Sequence, residues 1–264
     1  MTKELIAGGC SFTFGHELSD DQQGKVPSKK SWAYGLKKDN QDYICVAYPG
    51  TGNSGIARRV FNAVANTKEI KGVVVMWSFP SRYDWAMPRH KTLEDTRWAS
   101  ISPWDTNSGK EEASSRMQGS EIQQEQWRLR SELFRETGVT PFAEAIYKYA
   151  ANQYHEIYLS WKSIIWLQNI LEKKKIPYMF TLADNSLFYN EFVHHKDIDE
   201  FMNSLYSEID LTKWFSFGER CMGFNQWALL NDYPRGTTHP LDQAHADAVQ
   251  LMLPTFNKLI GEKQ

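Results

Sequence analysis

The sequence predicts an α/β fold in which a parallel sheet lies between two layers of helices. Apolar runs at residues 3–9, 43–48 and 72–78 alternate with segments whose apolar residues recur at helical spacing. The third run reads GVVVMWS and is almost continuously apolar, as expected for a strand that is covered on both faces. Strands that alternate with helices in this way are typical of a parallel sheet with helices on both faces.

The remaining elements follow from the same periodicities and from helix-end residues. Apolar residues at helical spacing predict either one long helix or two successive helices from Thr140, and the apolar run at 177–183 predicts a further strand. Pro254 is expected to kink or split the last helix, because proline lacks the N–H that a helix interior needs. Helices are also predicted at 32–38, around 56–64, at 121–137, at 197–209 and from 239 onward.

The length of 264 residues fits a single domain, 1–264, that carries an insertion at about 79–139. Periodicity is weak within the insertion, and four of the ten tryptophans fall there: Trp85, Trp98, Trp104 and Trp127. Sixty residues without a regular pattern are uncommon in a compact domain. The insertion is expected either to cover a functional site or to form a surface elaboration with its own aromatic cluster.

Charge and cysteine content exclude several classes of protein. The formal net charge of −2 argues against a nucleic-acid-binding protein that depends on a strongly basic surface. No apolar run approaches the roughly 18 residues of a membrane span, and the apolar stretch before Cys10 is too short for a signal sequence. The three cysteines are expected to be reduced, in a cytoplasmic protein. No cofactor or metal is expected, since the adjacent His194 and His195 lack a third ligand.

The first segment that suggests chemistry is GCSFTFG, residues 9–15, directly after the first predicted strand. A serine on a tight strand-to-helix turn holds its hydroxyl at the carboxyl edge of the sheet, where its own N–H can face a developing oxyanion. Ser11 is therefore a candidate nucleophile. The alternative is that Ser11 only caps the turn, as serine often does.

The second segment is PGTGNSG, residues 49–55, directly after the second predicted strand. Its glycines allow backbone N–H groups to approach an oxyanion or a phosphate closely. The segment also matches the G-x-G-x-x-G of dinucleotide sites, but the acid that such sites need at the end of the next strand is missing. An oxyanion-binding loop is therefore favoured over a cofactor site.

The third segment is THPLDQAH, residues 238–245, just before the last predicted helix. His239, followed by Pro240 at the helix entry, is well placed as a general base. His245 lies in the first turns of the helix. A satisfied, half-buried histidine is the alternative for both, but the serine segment at the other end of the chain favours a functional His239.

Together these segments resemble the SGNH/GDSL hydrolases. GCSFTFG is similar to the first block of that family, Gly-Asp-Ser-x-Thr-x-Gly; Gly50 falls where the second block has an oxyanion-hole glycine; and His239 with His245 resembles the last block. The likeness covers nearly the whole chain and is greatest to small SGNH-like proteins of bacteriophage and bacterial genomes. It implies a flavodoxin-like three-layer α/β/α fold. It also implies an enzyme that cleaves esters or thioesters, with Ser11 as nucleophile and His239 as base.

The chain departs from the family at the acid of the triad. The family's aspartate stands two or three residues before the histidine, where this chain has Gly236 and Thr237. Asp232 is the expected third member, with a Ser-His dyad or an acid elsewhere as the alternatives. Asp242 is better explained by the helix dipole, which favours a carboxylate in the first turn.

The second departure is the family's third block, Gly-x-Asn-Asp, which is replaced by WSFP at residues 77–80. Asn53 or Ser78 is then expected to supply the missing oxyanion donor. Trp77 and Arg82 are expected to contact substrate at the same edge of the sheet, where open α/β folds bind their ligands. For Arg82 the choice lies between a substrate carboxylate and a surface salt bridge.

The predicted function is a serine esterase that cleaves an acyl or acetyl ester of a small molecule, a glycan or a lipid. The alternative is a non-catalytic module on the same scaffold that binds a glycan or a protein, and the two missing family residues favour it. Trp and Tyr of the insertion would then make the contacts. The resemblance also allows association with a virion if the chain is phage-encoded, and the sequence leaves the oligomeric state open.

Overall fold

A four-stranded parallel sheet forms the centre of the protein. The computed structural model describes residues 3–22, 24–88, 97–116, 121–189 and 199–261, and only the backbone of residues 114, 116 and 122. The strands are β1 (Lys3–Gly8), β2 (Gln41–Cys45), β3 (Ile70–Trp77) and β6 (Tyr178–Leu182), in the order β2-β1-β3-β6. All three pairs are parallel. The predicted parallel sheet is confirmed.

Helices cover both faces of this sheet, which gives three layers. On one face α3 (Asn53–Asn66) and α7 (Gln153–Lys173) bury a cluster that includes Val60 and Trp161. On the other face α2 (Trp32–Gly35), α9 (Phe224–Leu230) and α10 (Asp242–Leu259) bury a second cluster that includes Trp32, Phe224 and Phe256. The sheet therefore separates two apolar cores, and the fold is the flavodoxin-like α/β/α sandwich.

The strand order determines where a site can form. The chain passes from β1 to β2 on one side of β1 and then to β3 on its other side, so the order reverses between β1 and β3. Ligands in open α/β sheets bind at the carboxyl ends of the strands beside such a reversal. β1 leads there directly into α1 (Ser11–Phe14), and β3 leads into Ser78.

The segment 79–139 contains regular structure, contrary to the expectation of an irregular insertion. An antiparallel hairpin of β4 (Tyr83–Ala86) and β5 (Trp98–Ile101) is followed by a 3-10 turn (Pro103–Asp105), α4 (Asn107–Arg116) and α5 (Glu121–Glu136). With α6 (Val139–Ala145) these elements enclose a third apolar cluster. The helix predicted at 121–137 is α5. The hairpin and α4 were not predicted, because the strands have only four residues each and α4, NSGKEEASSR, has almost no apolar face.

Two expectations about helices are decided by the structure. The region from Thr140 forms two successive helices, since α6 continues into a π-helical turn (Ile146–Ala150) before α7 begins. Pro254 lies inside α10 and does not split it, because Met252 and Phe256 on either side stay fully buried against the sheet. The helix predicted at 197–209 is α8 (Glu200–Ser207), and residues 197–198 lie outside the described part.

Candidate active site

Ser11 is the first residue of α1, directly beyond the carboxyl end of β1. Gly9 makes the turn tight: a Cβ there would lie 2.1 Å from Thr13 Oγ1 and 3.1 Å from the Met76 carbonyl. Cys10 is the buried N-cap residue of α1, so Ser11 enters the helix with its hydroxyl at the sheet edge. The local sequence thus fixes Ser11 where β1 and β3 end.

Ser11, His239 and Glu17 form a continuous chain of hydrogen bonds. The Ser11 Oγ lies 2.7 Å from His239 Nε2, and the His239 Nδ1 lies 2.6 Å from Glu17 Oε2. Ser11 and His239 are both buried. A serine, a histidine and a carboxylate in this order have the geometry with which a histidine can take a proton from a serine hydroxyl.

Hydrogen bonds fix both the backbone and the carboxylate of Glu17 beside His239. Its own N–H donates to Asp21 Oδ2 at 2.9 Å, and its φ of 70° places it in the left-handed region that non-glycine residues seldom adopt. Its carboxylate accepts hydrogen bonds from the N–H groups of Thr237 (2.7 Å), Thr238 (3.0 Å) and His239 (2.9 Å). The segment that carries the histidine therefore wraps around the carboxylate that orients it.

The loop that carries Glu17 is fixed by three aspartates. Asp21 accepts from the Gly24 N–H at 2.8 Å, and Asp20 accepts from the Lys29 N–H at 2.9 Å and from the Ser28 hydroxyl. Asp242, in the first turn of α10, accepts from the Ser19 N–H at 2.9 Å and pairs with Lys30 at 2.6 Å. Asp242 is thus a loop anchor as well as a residue suited to the helix dipole.

The electrostatics suit His239 as a base. Burial lowers the pKa of His239 below its ordinary 6.5, although the hydrogen bond and charge of Glu17 act in the opposite direction. Burial raises the pKa of Glu17, but hydrogen bonds from His239, Gln123 and Thr238 and the charge of His239 outweigh it and hold that pKa well below its usual range. At neutral pH the pair is therefore a neutral imidazole beside a carboxylate.

Asp232, the acid expected from the sequence, does not occupy this position. The partners of His239 Nδ1 are Glu17 and the Thr238 hydroxyl. Asp232 is exposed in the turn after α9, where its N–H donates to the Leu229 carbonyl. The family pattern places the acid close to the histidine in sequence, whereas Glu17 lies six residues after Ser11, in the loop that follows the first block.

Gly50, the glycine that the second block suggested, lines the same cavity as Ser11. The Tyr48 N–H donates to the Gly9 carbonyl at 3.1 Å, which joins the two segments, and both Ser11 and Gly50 line one cavity. Gly50 has φ 80°, a conformation that favours glycine. Within the described part of the chain neither the Ser11 N–H nor the Gly50 N–H has a hydrogen-bond partner, so both are available to an oxyanion.

Asn53 and Ser78 do not supply a further oxyanion donor. The Asn53 amide accepts from the Ser78 N–H at 2.7 Å and donates to the Ser78 carbonyl at 3.1 Å and to Ser160 Oγ at 3.0 Å. Both groups of the amide and the Ser78 N–H are therefore engaged in the protein interior. Trp77 is also wrong as a substrate contact, because its side chain is fully buried against Phe180.

Of the expected contacts at the end of β3, Arg82 is the one that lines the cavity. Its Nη1 donates to Ser78 Oγ at 2.8 Å, and its guanidinium lies 5.0 Å from the centre of the Phe79 ring. The expected alternative, a surface salt bridge, is absent among the contacts of the described residues.

The glycine-rich segment is not open to a dinucleotide phosphate. Asp84 of β4 accepts hydrogen bonds from the Gly55 N–H at 2.9 Å and from the Ser54 hydroxyl at 3.1 Å, at the start of α3. A Cβ at Gly52 would lie 2.6 Å from the Arg82 carbonyl and 2.7 Å from Asp84 Oδ2. The glycines therefore allow β4 to approach α3, and a carboxylate occupies the helix terminus where a phosphate would bind.

His245 has a structural position. Its Nδ1 accepts a hydrogen bond from the Trp32 N–H at 3.0 Å, and its ring packs edge-on against Phe224. It therefore joins α10 to α2 in the core and lies outside the cavity, unlike His239.

A cavity of about 580 Å³ opens over Ser11 and His239, and the insertion forms one side of it. The 3-10 turn contributes Trp104, and α5 contributes Gln123, Trp127 and Arg130. Gln123 also reaches the candidate triad: its amide donates to Glu17 Oε1 at 2.5 Å and accepts from Thr237 Oγ1 at 2.8 Å. The insertion thus contributes to the cavity and also forms an apolar cluster of its own, so both expected roles are seen in part.

The tryptophans of the insertion divide into two pairs. Trp104 and Trp127 line the cavity. Trp85 is 53% exposed beside Phe142, and Trp98 stacks with Arg58, so this pair lies on the hairpin away from the cavity. Thus only some of the aromatic side chains of the insertion belong to the cavity.

In the described ranges of the chain no group of three His, Cys, Asp or Glu side chains could hold a metal ion. His194 and His195 lie outside these ranges. No helix within them has the length and hydropathy needed to cross a membrane.

Comparisons with known proteins find distant neighbours in structure. Neither a protein-family model nor a curated protein sequence matches the chain. A lipolytic protein assigned to the G-D-S-L family from Desulfitobacterium hafniense has a TM-score of 0.45 and 11% identity over 96% of this chain and 99% of that one. A member of the lipolytic G-D-S-L family from Veillonella parvula has a TM-score of 0.45 and 12% identity over 98% and 100% of the two chains. A carbohydrate acetylesterase family member from Sinorhizobium meliloti has a TM-score of 0.45 and 10% identity, also over 98% and 100%.

Proposed function

We propose that this protein is a serine hydrolase of the SGNH/GDSL type that cleaves a carboxylic ester. The observation that carries the proposal is the chain of hydrogen bonds from Ser11 through His239 to Glu17, with donor–acceptor distances of 2.7 and 2.6 Å. The position of these residues at the reversal of strand order, beside an open cavity, supports it.

In the first half of the reaction Ser11 Oγ attacks the ester carbonyl carbon while His239 Nε2 takes the hydroxyl proton. The carbonyl oxygen becomes an oxyanion, and the N–H groups of Ser11 and Gly50 donate to it. The tetrahedral intermediate then collapses as the C–O bond to the alcohol breaks, and His239 returns the proton to the leaving alcohol. The product is an acyl ester on Ser11.

In the second half a water molecule attacks the acyl carbon and gives its proton to His239. Collapse of the second intermediate releases the carboxylic acid and returns the proton to Ser11 Oγ. Glu17 stays ionised throughout: it holds the proton of His239 on Nδ1, which leaves Nε2 free to accept, and it stabilises the imidazolium that forms in each half.

The oxyanion site differs from that of the family it resembles. Asn53 and Ser78 are engaged elsewhere, so two backbone donors take the place of three. Loss of one such donor commonly costs on the order of 10²–10³ in rate. The proposed enzyme is therefore expected to act on activated or well-bound esters. Its cavity of about 580 Å³ offers Trp104 and Trp127 for an acyl chain or a sugar ring.

The test is hydrolysis of 4-nitrophenyl acetate and butyrate by the wild type and by Ser11→Ala. The matched control is Ser204→Ala, since Ser204 is an exposed serine of α8 whose hydroxyl donates to the Glu200 carbonyl. The proposal expects activity in the wild type and in the control and only background in Ser11→Ala. Equal rates of hydrolysis in all three proteins would contradict the proposal.

The alternative is a non-catalytic binding module, which the reduced oxyanion site favours. A fluorophosphonate probe separates the two, because it forms a covalent bond only with an activated serine hydroxyl. Labelling at Ser11, lost in Ser11→Ala, supports the hydrolase. Absence of labelling in a folded protein together with absence of turnover supports the binding module.

A further inference from the structure

The cavity over Ser11 is lined by arginines and by no carboxylate. Among the described residues that line it are Arg82, Arg130 and Arg235, whereas no Asp or Glu side chain contributes to the lining. The chain as a whole has a net charge of −2, so this is a local excess of positive charge. Such a surface raises the local concentration of anionic ligands.

One of the three arginines is neutralised by an ion pair. Arg130 donates from Nε and Nη2 to the two carboxylate oxygens of Asp105, both at 3.0 Å, and from Nη2 to the Ser100 carbonyl at 2.8 Å. Asp105 is buried behind it. Arg130 therefore holds the 3-10 turn against α5 and is not the candidate for an anionic ligand.

Arg82 and Arg235 contact neutral groups. Arg82 donates to Ser78 Oγ at 2.8 Å and stacks over Phe79, and no ion pair joins it to a carboxylate in the described ranges. Arg235 Nη2 donates to Asn225 Oδ1 at 2.9 Å and to the Thr238 carbonyl at 2.6 Å, and both of these acceptors are uncharged. Both guanidinium groups therefore keep an unneutralised positive charge at the cavity.

Glu17 is a negative charge that acts on Arg235, and its carboxylate is hydrogen-bonded to His239. Its carboxylate is surrounded by the N–H groups of Thr237, Thr238 and His239, so it attracts Arg235 only through space. The cavity surface itself therefore presents the positive groups, and the negative group is covered.

We propose that Arg82, with Arg235 as a second cationic group, binds a carboxylate carried by the ester substrate. The proposal rests on the ester hydrolysis proposed above and adds the class of substrate, an ester that bears a negative charge close to the bond that is cleaved. A guanidinium can donate two parallel hydrogen bonds to a carboxylate, which fixes both the position and the orientation of the substrate.

A different role for Arg82, donation to the oxyanion in place of the missing third donor, makes a different prediction. An oxyanion donor acts on the carbonyl oxygen and would affect charged and neutral esters equally. A carboxylate-binding arginine affects only the charged ester, provided that the pH is high enough to keep His239 neutral in both proteins. The ratio between two matched esters therefore separates the roles.

The experiment compares kcat/KM for two pairs of esters. The first pair, 3-acetoxybenzoate and 3-acetoxybenzamide, differs in charge on the alcohol side. The second, mono-4-nitrophenyl glutarate and 4-nitrophenyl glutaramate, differs in charge on the acyl side. The wild type is expected to prefer the charged member of one pair on the order of tenfold to a hundredfold, since hydrogen bonds between charged groups are the strong ones. The preference should fall in Arg82→Ala to the small part that Arg235 supplies, and more of it should be retained in Arg82→Lys.

Arg128→Ala is the matched control, because Arg128 is an exposed arginine of α5 paired with Glu125 and Glu132. The preference of this variant for the charged ester should equal that of the wild type. Turnover of both pairs without a charge preference in the wild type would overturn the inference and leave the esterase standing. An equal loss on charged and neutral esters in Arg82→Ala would assign Arg82 to the oxyanion instead and would also overturn it.

Binding to Ser11→Ala protein separates this inference from the esterase proposal. Calorimetry with 3-acetoxybenzoate and 3-acetoxybenzamide requires no turnover. Selective binding of the carboxylate that is lost in the Ser11→Ala, Arg82→Ala double variant supports the anion site even if the wild type hydrolyses neither ester. Equal binding of the two compounds, together with equal turnover, overturns it.

Discussion

Glu17 contacts His239 Nδ1 at 2.6 Å across 222 positions of the chain, from a backbone conformation with φ 70°. The contact joins the loop after the first strand to the loop before the last helix, so the proposed triad closes only when the two ends of the chain meet. A left-handed glutamate is uncommon, and it persists here because hydrogen bonds to Asp21 and to residues 237–239 fix both its backbone and its carboxylate.

We predict that Glu17→Gln lowers kcat/KM for a neutral ester by about 10²–10⁴, because the variant no longer stabilises the imidazolium or selects the tautomer of His239. Stopped assays with 4-nitrophenyl acetate measure the loss, and circular dichroism confirms that the variant is folded. Asp232→Asn is the control and should stay within about twofold of the wild type, since Asp232 is exposed away from His239. A larger loss in Asp232→Asn than in Glu17→Gln would reverse the assignment of the acid.

The pH dependence of activity has a sign that follows from the pKa of His239. The base must be neutral, so kcat/KM falls as the pH drops through that pKa, which burial places below 6.5. Glu17 raises this pKa and Arg82 lowers it. We expect the acid limb to move to lower pH in Glu17→Gln and to higher pH in Arg82→Gln. Profiles of kcat/KM for a neutral ester between pH 5 and 9 measure both shifts. If the acid limbs of the two variants moved in the same direction, the assignment would be contradicted.

Gln123 is expected to be a positioning residue supplied by the insertion. Its amide donates to Glu17 Oε1 at 2.5 Å and accepts from Thr237 Oγ1 at 2.8 Å. We predict that Gln123→Ala lowers kcat about tenfold with little change in KM. Gln123→Glu should be worse, because a second carboxylate beside Glu17 disfavours the ionised form of both.

The control for Gln123 is Gln124→Ala, one position along the same helix, where the side chain lines a different surface depression. Its kcat should match that of the wild type. If Gln123→Glu were as active as Gln123→Ala, the hydrogen bond to Glu17 would be structural only, since a merely structural contact has no reason to respond to the added charge.

The sheet, Ser11 and His239 were predictable because each rests on a local pattern. The apolar run of β3 indicates a strand covered on both faces, and a serine after one strand or a histidine before one helix is read from a few neighbouring residues. Pro254 shows the limit of such rules for one of its two expected effects: the helix is not split, and Met252 and Phe256 on either side of the proline are fully buried.

Glu17 and Gln123 were not predictable, because nothing in their neighbouring sequence distinguishes them from solvated polar residues. Each acquires its role from contacts with a segment more than a hundred positions away. Asn53 shows the converse. Its place in the glycine-rich loop suggested an oxyanion donor, and only the approach of Ser78 and Ser160 shows that its amide is already engaged.

His245 should make the folded state sensitive to acid. Burial, reinforced by the charge of His239, lowers the pKa of His245 to about 3, against an ordinary value of 6.5. The unfolded chain therefore takes up a proton as the pH falls below about 6.5, while the folded chain does not until far lower pH, so the free energy of unfolding decreases over that window. The contribution of this group is fully present above pH 6.5. Its loss by pH 5 is about 2 kcal/mol, since one pKa unit corresponds to about 1.4 kcal/mol.

The measurement is urea unfolding of the wild type and of His245→Asn at several values between pH 7.5 and 5. Asparagine keeps an acceptor near the Trp32 N–H but has no proton to gain, so the variant should be less stable at pH 7.5 and should lose less stability on acidification. His239 and the carboxylates contribute to both proteins, so the difference between the two slopes isolates His245. If the free energy of unfolding fell equally with pH in the two proteins, His245 would be protonated in the folded state over this range. That result would contradict its role as acceptor for the Trp32 N–H.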